Sequence, residues 1–108
     1  MKYKKFDVVI VPFPFVDNVK KQKIRPAIVV SDNEYNKLTG LVVVAMVTSA
    51  KKSKLHGDIL IKYDFLKADC VIRMKFASFA QETVFDKIGA LDKSDISNLQ
   101  SSLIEIFA

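Results

Sequence analysis

Hydrophobic residues in this 108-residue chain fall into short runs up to about residue 91 and into a helical stripe after it. Phe6–Phe13 is rich in Val and Ile and ends in proline, the pattern of a strand. Val16–Ile24 is polar and basic and reads as a loop. Arg25–Ser31 predicts a second strand, with Pro26 near its start, where no ladder N–H is required. Asp32–Lys37 predicts a turn or a single helical turn, closed by Gly40. Leu41–Thr48 is apolar on both faces and is expected at the centre of a sheet. Ser49–His56 is a second basic loop, and Gly57–Tyr63 reads as a fourth strand. Cys70–Phe79 and Thr83–Leu91 predict two more strands around a turn at Gln81. Ile96, Leu99, Leu103 and Phe107 then recur at three- and four-residue steps, the stripe of an amphipathic helix that Asp92 or Ser94 can cap.

Short strands followed by one closing helix predict a mainly β, small antiparallel barrel, with the helix over one end or one face. Half of the residues are hydrophobic, enough for one compact core, and the length fits a single domain over residues 1–108. The longest apolar run, Leu41–Val47, has seven residues against the ~20 that a membrane helix needs. Pro12, Pro14 and Asp7 interrupt the N-terminal apolar stretch, so it does not read as a secretion signal, and a cytoplasmic protein is expected. With one Cys and one His, the chain cannot assemble a four-ligand zinc site of those residues by itself.

The formal net charge of +5 is unevenly placed. Residues 1–57 carry 11 basic and 4 acidic side chains, and residues 58–108 carry 6 and 8. A positive first half predicts a polyanionic partner, either a nucleic acid or an acidic protein segment, although lysines also decorate ordinary solvated faces. Lys20, Lys21 and Lys23 cluster in the first basic loop, and Lys51, Lys52, Lys54 and His56 in the second. Both loops join strands, where binding groups are commonly presented.

Most catalytic constellations are missing. His56 is the only histidine, Cys70 reads as a structural cysteine, and the three glycines form no phosphate-cradling loop. RNA cleavage by internal attack needs none of these parts, because the substrate's own 2′-hydroxyl is the nucleophile. The protein must orient ribose and phosphate, stabilise the developing charge and help move two protons. Arginine suits the charge task, and a Thr or Ser hydroxyl can hold a phosphoryl oxygen. Arg25 opens the second strand and Thr48 ends the third, so antiparallel pairing of the two would bring them to one end of the sheet. On the residues alone, Arg25 could equally bridge to Asp17 or Asp7, and Thr48 could be an ordinary strand-end residue.

Phe6–Phe15 (FDVVIVPFPF), Ile24–Ser31 (IRPAIVVS) and Val47–Ser49 (VTS) resemble the MazF/PemK family of toxin endoribonucleases, as do Val71–Arg73 and Lys87–Leu91. The resemblance covers nearly the whole chain, with its segments in order. It implies an SH3-like, CcdB/PemK-like barrel with a C-terminal helix, acting as a homodimer without a cofactor. It also implies metal-independent cleavage of single-stranded RNA at a short sequence, leaving a 2′,3′-cyclic phosphate and a 5′-hydroxyl. Arg25 matches the family's catalytic arginine and Thr48 its catalytic threonine. Lys20, Lys21, Lys23, Ser49, Lys51, Lys52 and Lys75 are the expected RNA contacts. The implied partner is an acidic cognate antitoxin. Ile24 stands where many members carry a second basic residue, and Lys75–Ala80 replaces acidic and Gln side chains that can read bases. Two other readings remain open on sequence: a toxin of the same fold that poisons a protein such as DNA gyrase, and an RNA-binding barrel without activity. The latter would stack bases on Phe13, Phe15, Phe76 or Phe79.

Overall fold

The computed structural model describes residues 2–12, 24–51 and 54–107. The described elements are β1 (Asp7–Pro12), β2 (Ile24–Val29), α1 (Asn33–Thr39), β3 (Leu41–Ser49), β4 (Ile59–Ile61), β5 (Cys70–Ala80), a 3-10 turn (Gln81–Thr83), β6 (Asp86–Ala90) and α2 (Lys93–Phe107). The strands form one antiparallel sheet in the order β4-β5-β3-β2-β1-β6, curled into a half-barrel that α2 covers. This is the expected mainly β barrel with a C-terminal helix, and β3 lies inside the sheet as its two apolar faces require.

Alternation along the strands splits the core. Val9, Val11, Ala27, Val29, Val42, Val44 and Met46 point to one face, where Tyr3 and Val84 complete the packing. Val8, Ile28, Ala45, Val47, Ile61 and Ile72 point to the other, beneath Leu99 of α2. The stripe of Ile96, Leu99 and Leu103 is the buried side of that helix. The Asp92 side chain accepts from the Asp95 N–H at 2.9 Å, so Asp92 rather than Ser94 caps it.

Several boundaries differ from the sequence reading, and β2 runs over Ile24–Val29 rather than Arg25–Ser31. Phe6 has φ +74°, outside extended geometry, so β1 begins at Asp7. The segment from Asp32 is longer than one turn: Asp32 caps Asn33–Thr39 and Gly40, at φ +72°, ends it. β4 is only Ile59–Ile61, because Gly57 turns at φ +91° and residues 62 onward leave the sheet. Thr83 belongs to the 3-10 turn, so β6 starts at Asp86.

Candidate active site

β2 and β3 pair with Ala27 opposite Met46, Ile28 opposite Ala45 and Val29 opposite Val44. Continued two residues beyond the paired segment, that register brings Arg25 level with Thr48. Opposed residues share a face, so both side chains lie on the side of Ala27 and Met46. Val11 is the neighbour of Arg25 on β1, and Val71 the neighbour of Thr48 on β5. The bridge between Arg25 and Asp7 weighed from sequence is excluded by distance. Asp7 sits four residues along β1 from Val11, about 13 Å at ordinary strand rise. Asp7 pairs instead with Lys87 at 3.2 Å and accepts the Lys4 N–H at 2.8 Å.

Arg25 and Thr48 are half-buried and both border a cavity of about 430 Å³ at this end of the sheet. Its apolar wall includes Ile10, Pro26, Val47, Phe65 and Ile88, and its polar rim includes Ser49, Lys67 and Cys70. Val47, Phe65 and Ile88 belong to the face that α2 covers, so Arg25 and Thr48, on the other face, border this cavity at the end of the strands, where a permanent cation and a hydroxyl come to one cleft. The Ser49 hydroxyl accepts the Lys51 N–H at 3.3 Å and so begins the turn into the second basic loop. Lys51 is exposed just beyond it.

Lys75 takes a different position. Ala45 pairs with Phe76 while Met46 pairs with Arg73, so Met74 and Lys75 are the extra residues of a bulge in β5. Lys75 is exposed there, set back along the sheet from Thr48, and is not a neighbour of the Arg25–Thr48 pair. Lys20, Lys21, Lys23 and Lys52 lie outside the described residues, as do Phe13, Phe15 and Asp17. Phe76 and Phe79 are half-buried against the two core faces, and Phe76 also meets Phe107 of α2 at 5.3 Å between ring centres.

Other candidates resolve into structural parts. Arg73 is diagonal to Thr48 on the same face, and its guanidinium binds Asp58 of the adjoining turn at 2.9 Å. Cys70 donates to the Ala68 carbonyl at 3.3 Å; burial, and then the charge of Asp69, push its thiol pKa up. That is the opposite of what an activated thiolate requires. His56 is exposed and meets Glu105 of α2 at 2.6 Å. Sequence reasoning missed Lys67 on the cavity rim. It lies in the net-negative second half, outside both basic clusters, and only the path of the chain after β4 brings it here.

The chain belongs to the family of PemK-like, MazF-like toxins of type II toxin–antitoxin systems, whose profile matches residues 4–107. Among solved structures, the chain is similar to an endoribonuclease in complex with its cognate antitoxin from a Mycobacterial species. The identity is 14%, with 95% of this chain and 92% of that chain covered and a TM-score of 0.77. It is also similar to MazF from Deinococcus radiodurans, at 17% identity, 98% and 96% coverage and a TM-score of 0.76. A MazE–MazF complex from the same organism gives 16% identity, 100% and 97% coverage and a TM-score of 0.75. No curated protein sequence matches the chain. At these identities the structural likeness establishes the fold.

Proposed function

We propose that this toxin is a metal-independent endoribonuclease that cleaves single-stranded RNA. The observation that supports the reading is that Arg25 and Thr48 border one cavity, with a β2–β3 register that, continued beyond Ala27–Met46, brings them level. The 2′-hydroxyl oxygen attacks the adjacent phosphorus, and the bond from phosphorus to the 5′-oxygen breaks. The proton leaves the 2′-oxygen and one is delivered to the departing 5′-oxygen, so the products are a 2′,3′-cyclic phosphate and a 5′-hydroxyl. Arg25 stabilises the charge that builds on the non-bridging oxygens, and the Thr48 hydroxyl donates to one of them. Arginine stays protonated at any working pH, so its role is charge stabilisation rather than general base. Exposed lysines such as Lys51 add affinity through the phosphate backbone.

The positive first half of the chain fits an acidic antitoxin that covers the same surface, and the fold is shared with toxins solved with their antitoxins. We place the active protein as a homodimer in the cytoplasm, with mRNA as its substrate.

The test is incubation of the purified protein with a long single-stranded RNA in EDTA, followed by mapping of the ends. Discrete cuts at one short motif, bearing cyclic phosphate, are expected. Intact RNA across varied sequences, together with growth arrest accompanied by broken DNA, would replace this reading with a poison of a protein target.

A further inference from the structure

The connection from Lys62 to Asp69 packs on the face that α2 covers, and its Phe65, Leu66, Lys67 and Ala68 line the cavity that Arg25 and Thr48 border from the strand ends. Among its described lining residues, Arg25 and Lys67 are the cations, and no carboxylate lines it. Cys70, which ends the connection, stands opposite Ser49. Cys70 is therefore about two strand spacings, ~10 Å, from β2.

The connection is pinned along its length. The Tyr63 and Phe65 rings stack with centres 4.9 Å apart. The Leu66 N–H donates to the Tyr63 carbonyl at 3.0 Å, and the Ala50 N–H to the Asp69 carbonyl at 3.1 Å. The Tyr63 hydroxyl donates to Asp95 and accepts the Asp92 N–H, which ties the segment to the start of α2. The Phe65 ring lies against Gly89 of β6 so closely that a Cβ there would come within 2.5 Å of it. Glycine is thus the residue that lets Phe65 wedge under the loop. Lys67 is exposed on this fixed support, and none of the described ion pairs uses it.

We propose that Lys67 binds a backbone phosphate of the RNA adjoining the one held at Arg25 and Thr48, with the wedge of Phe65 against Gly89 setting its position. The assignment rests on the ribonuclease reading and adds a contact from outside both basic loops. A lysine ammonium is a compact point charge that satisfies a phosphate without a fixed bidentate geometry. A cation already anchored by its backbone loses less freedom on binding than one on a free loop.

The test compares wild type, Lys67→Gln, Lys67→Arg and Lys37→Gln, the last on α1 at the far end of the sheet. The probe is a single-stranded RNA carrying 2′-O-methyl groups, which cannot cleave itself, with affinity followed against salt. Lys67→Gln is expected to weaken binding roughly three- to fivefold and to lower the slope of log affinity against log salt by ~0.7, the single-strand increment for one phosphate contact. Lys67→Arg restores both, and Lys37→Gln matches wild type. Cleavage of unmodified RNA at saturation stays near the wild-type rate in Lys67→Gln. Affinity and slope unchanged in Lys67→Gln, with wild type still cleaving RNA, overturn the Lys67 contact and leave the ribonuclease standing. Wild type that neither binds nor cleaves RNA overturns both.

Discussion

Arg73 grips Asp58 with both ends of its guanidinium: Nε donates to Oδ1 at 3.2 Å and Nη2 to Oδ2 at 2.9 Å. The side chains are 16% and 6% exposed. The β4–β5 register explains the meeting, since Ile59 faces Ile72 and the next pair outward is Asp58 with Arg73. The bridge fastens the short edge strand β4 to β5 on the face that carries Thr48.

Asp58→Ala should therefore destabilise the fold by about 2 kcal/mol, the usual value for charged hydrogen bonds lost from a mostly buried site. For a domain of this size that is a drop in Tm of roughly 10 °C. Burial pushes the Asp58 carboxyl up, but hydrogen bonds from Arg73 and from the Leu55 N–H outweigh it and hold the pKa below its ordinary value. A depressed carboxylate stabilises above its unfolded pKa, and that stabilisation is lost as pH falls through the folded value. Urea unfolding of wild type and Asp58→Asn should thus differ most near neutrality and converge in acid. Equal differences at both ends would disprove the linkage.

Arg25→Ala should slow RNA cleavage by about two to three orders of magnitude, the typical cost of one transition-state stabiliser. Single-turnover rates at saturating RNA are the measurement. Equal rates in the two proteins would remove Arg25 from the chemistry.

Lys51→Gln should act on binding instead. Affinity for single-stranded RNA should fall and its salt slope shrink by ~0.7, with the saturated cleavage rate little altered. A slower saturated rate with unchanged affinity would contradict a pure phosphate contact.

Gly89→Ala should cost about 1–3 kcal/mol, because the new methyl collides with the Phe65 ring and the ring must leave its seat. Phe65→Leu in the same chain should recover part of the loss. Thermal unfolding of the two single variants and the double variant gives the coupling directly, and strictly additive effects would mean the wedge carries no strain.

His56 and Glu105 form an exposed pair between the second basic loop and α2. The hydrogen bond to Glu105, and then its charge, raise the His56 pKa above the ordinary imidazole value. A raised histidine stabilises fully below its unfolded pKa, near 6.5, and the effect fades as pH rises through the folded value. An NMR titration should show His56 titrating at higher pH in wild type than in Glu105→Gln. Identical curves would show that the pair does not persist in solution.

Much of this architecture is legible in local periodicity. The continuous Val- and Ile-rich runs of β1 to β3, buried on both faces, and the 3.6-residue stripe of α2 are both written in neighbouring residues. Arg25 and Thr48 could be singled out because each sits at a strand end and carries suitable chemistry. Their opposition, however, depends on the β2–β3 register, which the packing of Ala27, Ile28 and Val29 against distant partners decides. The ends of β4 and β6 are not legible locally, because a left-handed Gly57 and the turn at Gln81–Thr83 override apolar runs that would suit a strand. Lys67 was invisible for a related reason. Its place beside Arg25 comes from Phe65 packing on Gly89, a contact between residues 24 positions apart that no local pattern encodes. Local pattern is enough for the kind and order of the strands and the closing helix and for the two chemical groups. Which of them meet is set by register and loop path, and these follow from packing between segments far apart in the chain.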